Sequence, residues 1–144
     1  MVGLKSQRNR VYYTYSKNGN NKNEIHYCIK IYNKDKKLKL IESSTYGYIR
    51  IWDFHSGKLI KKIIINKGKK LFGICLWDDN HIFVGSENNI IKLIDIKSGK
   101  IKDLIGHKNY VLTIKKFIHP KYGECLISQG YSNDQIKLFT SIKI

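Results

Sequence analysis

Ile51 to Leu59 reads IWDFHSGKL, and 42 positions on, Leu93 to Ile101 reads LIDIKSGKI. Four of the nine positions are identical: Asp53/Asp95, Ser56/Ser98, Gly57/Gly99 and Lys58/Lys100. Most of the others exchange one aliphatic or aromatic residue for another. A turn duplicated at this interval constrains the chain to an array of similar units, each of which buries its apolar face only by stacking on a neighbour. Ser-Gly in such a turn supplies a residue free to take positive φ between two strands. The Ser-Gly-Lys string does not make a phosphate-binding loop. That loop needs two glycines with four residues between them, then Lys-Ser/Thr opening a helix, and neither accompanies this string.

Outside the duplicated turn, short runs rich in β-branched and aromatic residues alternate with Gly, Asn, Asp and Ser, and no helical period of useful length occurs. The pattern predicts an all-β fold of four-stranded antiparallel meanders. The first unit, 24–65, has strands over 25–32, 38–43, 48–53 and 58–64. The second, 66–105, has strands over 71–77, 81–85, 90–96 and 100–105. The third, 106–144, has strands over 110–118, 125–129 and 135–139 and lacks a fourth. Pro120, the only proline, falls in a turn, where it removes no ladder hydrogen bond. Residues 1–23 carry one isolated strand-like run, Arg10–Tyr15 (RVYYTY), and a polar tract, Lys17–Asn23, that reads as a linker.

A near-duplicate at about 40–45 residues is the spacing of propeller blades, and the chain resembles the WD40 repeat family over residues 24–144. Such repeats open with Gly-His and end their third strand with Trp-Asp. Gly106-His107 matches the opening of the third unit, and Trp52-Asp53 the closing of the first. Asp95 keeps the Asp of the second unit with Ile94 in place of Trp, and Phe139-Thr140 stands at the same point of the third. Val111, Phe117, Pro120, Leu126, Ser128, Ile136 and Leu138 also fit the family's pattern. The resemblance implies four-stranded blades of a partial β-propeller. It also implies a hydrogen-bond network within a blade, joining the Gly-His histidine, a second-strand Ser/Thr, a turn Asp and the third-strand Trp. Only the third unit has the members for it, in His107, Ser128 and Asn133 or Asp134, and there Phe139 replaces Trp and has no N–H to donate. Asn88 stands at the Asp position of the second unit and Tyr46 at that of the first. Blades so depleted should lean on apolar packing, with Trp52, Asp53, Asp95, His107 and Ser128 as structural residues and Trp52 packed against the neighbouring blade.

Lys and Arg number 27 against 11 acids, a formal charge of +16. Such an excess suits nucleic acid or an acidic surface. Yet Lys, Ile, Asn and Tyr make up 70 of 144 residues, Ala is absent, and only Arg8, Arg10 and Arg50 are arginine. These four residue types share A/T-rich codons, so coding bias accounts for the excess more simply, and Arg, the side chain best suited to bidentate phosphate contacts, is nearly missing. Cys28, Cys75 and Cys125 lie far apart in apolar runs, as small buried hydrophobes do, and point to a reducing, intracellular setting, cytoplasmic ahead of nuclear. No signal peptide or bilayer-length apolar run is present in the sequence. His26 and Cys28 share one strand face, but the pair spacings of structural zinc sites do not occur, no nucleophile signature surrounds any cysteine, and Asp78-Asp79 sits in a turn where Asp is common for backbone reasons. No metal, cofactor or catalytic residue is expected.

The resulting expectation is a non-enzymatic scaffold for protein–protein recognition, with an RNA-binding basic protein as the rival reading. In the family pattern, the turns between second and third strands and the segments entering first strands share one face. That face would present Tyr46, Tyr48, Lys67, Lys69, Lys70, Asn88, Asn89, Lys108, Tyr110 and Asp134 to a partner. Three blades do not close a ring. The array would belong to a longer propeller, or two copies would close six blades as a homodimer, with Arg10–Tyr15 of one supplying the other's missing strand. The poor alternation of that run favours the longer propeller.

Overall fold

The computed structural model describes residues 25–144. The expected strand at Arg10–Tyr15 and linker at Lys17–Asn23 lie outside the described residues. Eleven strands and no helix form among those described: β1 (His26–Lys34), β2 (Lys37–Ser44), β3 (Tyr48–Asp53), β4 (Leu59–Ile64), β5 (Leu71–Leu76), β6 (His81–Ser86), β7 (Ile90–Asp95), β8 (Ile101–Ile105), β9 (Val111–His119), β10 (Gly123–Gly130) and β11 (Ile136–Phe139). They pair strictly in sequence order into three antiparallel sheets, β1-β2-β3-β4, β5-β6-β7-β8 and β9-β10-β11. Strand limits fall within a residue or two of those the turn residues predict. The longest departure is the β9–β10 hairpin, whose ladder continues to Gly123 opposite His119 and leaves only the segment around Pro120 as turn.

The two copies of the duplicated turn fold alike because the same atoms bond in both. The Asp53 and Asp95 amides donate to the carbonyls of Lys58 and Lys100, both at 2.9 Å. The amides of Gly57 and Gly99 donate back to the Asp53 and Asp95 carbonyls at 3.0 and 2.7 Å. Each carboxylate also accepts a Ser amide, Ser56 at 2.7 Å and Ser98 at 3.1 Å. Both glycines take positive φ, 69° and 76°, which explains why Gly recurs there.

Alternation within each strand gives two apolar faces, and the cores lie between sheets. Ile41, Ile49, Ile51 and Ile63 of the first sheet pack on Ile74, Ile82, Val84 and Ile94 of the second. The opposite face of the second sheet, with Cys75, Phe83, Ile91 and Leu93, packs on Val111, Ile114 and Leu126 of the third. The backbones come close through the early strands of each unit, β1 and β2 against β5, then β5 and β6 against β9. At Gly85 on β6 the approach is so tight that a Cβ would stand 2.1 Å from the Val111 carbonyl oxygen.

Trp52 is enclosed, 2% exposed. Its cross-strand partners are Leu40 and Leu59, so it occupies the face opposite Ile51. That face is the one opposite the core shared with the second sheet. No helix among the described residues is long and apolar enough to cross a membrane.

Candidate partner-binding rim

Strict antiparallel order brings every strand-2 exit, strand-3 entry and strand-1 entry to one rim of the sheets, and the duplicated Asp-Ser-Gly turns to the other. On the first rim one backbone bond recurs in all three units. The amides of Thr45, Glu87 and Tyr131, each just past a second strand, donate to the carbonyls of Ile25, Lys70 and Tyr110, each just before a first strand, at 3.0, 3.1 and 2.7 Å.

Beneath this rim the pairing register places Glu42, Val84 and Ser128 at equivalent points, two residues beyond Leu40, Ile82 and Leu126. The three units fill that point differently. In the third, His107 Nε2 lies 2.6 Å from Ser128 Oγ and Nδ1 lies 2.7 Å from Asp134 Oδ2. A carboxylate only accepts, so Nδ1 carries the proton and, in a neutral ring, Nε2 accepts the serine hydroxyl. Both side chains are enclosed, 1% exposed for His107 and 3% for Asp134. Asp134 Oδ2 also accepts the amides of Lys108 and Asn109, at 3.1 and 3.2 Å. Burial alone raises the Asp134 pKa, but the imidazole and the two amides outweigh it, and the net shift is downward. In the first unit Glu42 meets Arg50 at 3.4 Å and His26 Nδ1 at 2.7 Å. The His26 contact is an ion-pair distance without hydrogen-bond alignment, for both ring nitrogens are buried without a hydrogen-bond partner. In the second unit Val84 simply joins the core.

Of the residues expected to face a partner, several meet and others are engaged elsewhere. Tyr46 and Lys70 line one concavity of about 520 Å³, together with Tyr27 and Glu87. Lys69 reaches Glu87 at 3.9 Å. Lys67 and Asn88 are exposed, and Asn89 holds a turn at φ 65°. Tyr48 is covered by the Lys62 ammonium, 3.8 Å from its ring centroid. Lys108 lines a separate polar recess with Asn133 and Asp134, but the Asp134 carboxylate is turned inward to His107. Asp53 and Asp95 lie on the opposite rim.

Tyr110 belongs to a feature the sequence reading missed: a row of four rings crossing all three units, Tyr27–Phe72–Tyr110–Tyr131. Successive centroids are 4.9, 5.9 and 6.2 Å apart. Phe72 is buried, while Tyr27, Tyr110 and Tyr131 are 44%, 40% and 55% exposed. The signal was the aromatic residue next to each strand-1 entry, at Tyr27, Phe72 and Tyr110. A second concavity, of about 370 Å³, lies along the first strands and includes Tyr27, Lys30, Phe72 and Lys115.

The three cysteines are free thiols. Cys28 Sγ accepts the Ile74 amide at 3.4 Å, and burial pushes the Cys75 thiol up. Among the described residues no three His, Cys, Asp or Glu side chains gather as a metal site would require.

No protein-family model and no curated protein matches the chain. A solved structure that is similar is that of the computationally designed Ika8 protein, with a TM-score of 0.59 at 17% identity over 80% of this chain and 33% of that one. The chain thus spans about a third of that protein's length. At this identity the likeness is one of fold alone.

Proposed function

We propose that the three sheets are blades of a WD40-type propeller array, and that the chain is a non-enzymatic scaffold whose rim recognises other proteins. The observation that carries this reading is the threefold rim bond, Thr45 to Ile25, Glu87 to Lys70 and Tyr131 to Tyr110. It supports reading the sheets as three copies of one unit, as the duplicated Asp-Ser-Gly turn does for two of them at the other rim. Sheets that fan from a shared centre approach at their early strands and separate at their late ones. The sheets here meet mainly through β1, β2, β5, β6 and β9, which supports such a fan. His107, Ser128 and Asp134 supply three of the four members of the family's network. Because propellers close with about four to eight blades, further sheets complete the array on this reading, from a longer chain or from a second copy closing six.

Fold does not fix function, so the rim carries the functional part: half-exposed tyrosines and lysines on a three-sheet frame. The rival, an RNA-binding protein, draws on the same lysines and tyrosines. Affinity capture from a cell extract separates the two. Proteins should remain bound after nuclease treatment and be lost when Tyr110 and Tyr131 are both changed to Ala. Capture that vanishes with nuclease, and falls steeply with salt, would establish the rival.

A further inference from the structure

Resting on the scaffold reading, we infer that the ring row Tyr27–Phe72–Tyr110–Tyr131 is the seat of an extended acidic segment of a partner protein. Charge is the first argument. The two concavities that share Tyr27 also hold Lys30, Lys70 and Lys115, and Glu87, the one acid among the described residues that line them, is met by Lys69. The second argument is ring geometry. Phe72 with Tyr110, and Tyr110 with Tyr131, stack at 25° and 28°, so these rings turn their faces to one another. What such a row offers outward is ring edges, the positive side of the aromatic quadrupole, with lysine ammonium groups beside them. Carboxylates suit both. Bases of a nucleic acid need open ring faces on which to stack, and here the neighbouring rings cover part of them. Length is the third argument. The centroid spacings give a row of about 17 Å, which about five residues of extended chain would span.

The test uses the 144-residue chain and a labelled peptide of alternating Glu and Ser with a central Leu, read by fluorescence anisotropy at about 0.15 M salt. Its Gln-for-Glu counterpart and an oligouridylate of equal charge are measured beside it. The Glu peptide should bind at least about tenfold more tightly than either. Lys30→Glu with Lys115→Glu, and Tyr110→Ala with Tyr131→Ala, should each weaken it by about tenfold or more. Lys58→Glu with Lys97→Glu makes the same charge change on the opposite rim and should leave affinity within about twofold. Equal loss from the opposite rim would reduce the effect to general charge attraction and overturn the proposal. So would tighter binding of the oligouridylate, or no binding of the Glu peptide. If a variant fails to fold, amide shifts of the wild-type chain decide: changes at Tyr27, Tyr110 and Tyr131 support the site, and changes elsewhere refute it. Failure here leaves the nuclease-resistant capture standing, so the two readings fall separately.

Discussion

At the scale of single residues, Ser128 shows what one hydroxyl is asked to do. It is buried and meets a nitrogen of a histidine whose side chain is 1% exposed. Ser128→Ala leaves that nitrogen unsatisfied and should cost about 1–3 kcal/mol, measured by chemical denaturation. Loss of less than a few tenths would mean that another donor replaces the hydroxyl. The duplicated aspartates act through charge instead. The Asp53 pKa is lowered by the Ser56 amide and hydroxyl, and that of Asp95 by the hydroxyl and amide of Ser98. A carboxyl whose pKa drops on folding stabilises fully above its unfolded value of about 3.9, and the contribution is lost as pH falls through the folded value. The melting temperature of Asp95→Asn should therefore lie below that of the wild type at about pH 6 and converge with it in acid. A gap that persists below about pH 2 would assign the effect to geometry rather than charge.

Elements make a different demand, since a strand here must satisfy two neighbours at once. Gly85 is the sharpest case. Its φ is unexceptional, yet Gly85→Ala drives a methyl into the Val111 carbonyl, and overpacking of this kind costs about 1–3 kcal/mol or more. A neutral outcome in thermal melts would mean that the second and third sheets lie further apart than described. Trp52→Ala, from a position 2% exposed, should cost about 3–5 kcal/mol. A loss under about 1 kcal/mol would place the indole at a yielding surface. Strand limits were legible in the sequence because Gly, Asn and Asp punctuate every hairpin, and the duplicated turn was legible because its bonds are local. The face that Trp52 takes was not, since it depends on which face of β3 meets the next sheet. Nor was the ring row. Its four members are distant in sequence and meet only once the three rims are aligned. The Glu42–Arg50 pair escaped for the same reason. It lies across β2 and β3 at the point where the third unit uses Ser128, and nothing local announces that equivalence.

For the molecule as a whole, the arrangement follows from an interface used twice. Each sheet buries aliphatic residues on the next, and small residues where backbones nearly touch set the spacing at the early strands. Lysine side chains bridge further contacts, Lys61 to Ile96 and Lys97, and Lys116 to the Trp77 carbonyl at 2.8 Å. The central claim is that the three sheets fan outward from their first strands. Double electron–electron resonance tests it most directly, on the chain with Cys28, Cys75 and Cys125 replaced by Ser and spin labels placed in pairs. One pair joins Ile29 of β1 to Thr113 of β9, and the other joins Ile60 of β4 to Leu138 of β11. A fan predicts that the second distance clearly exceeds the first. Equal distances near 20 Å, as for three sheets stacked flat at about 10 Å each, would contradict the fan and with it the propeller reading.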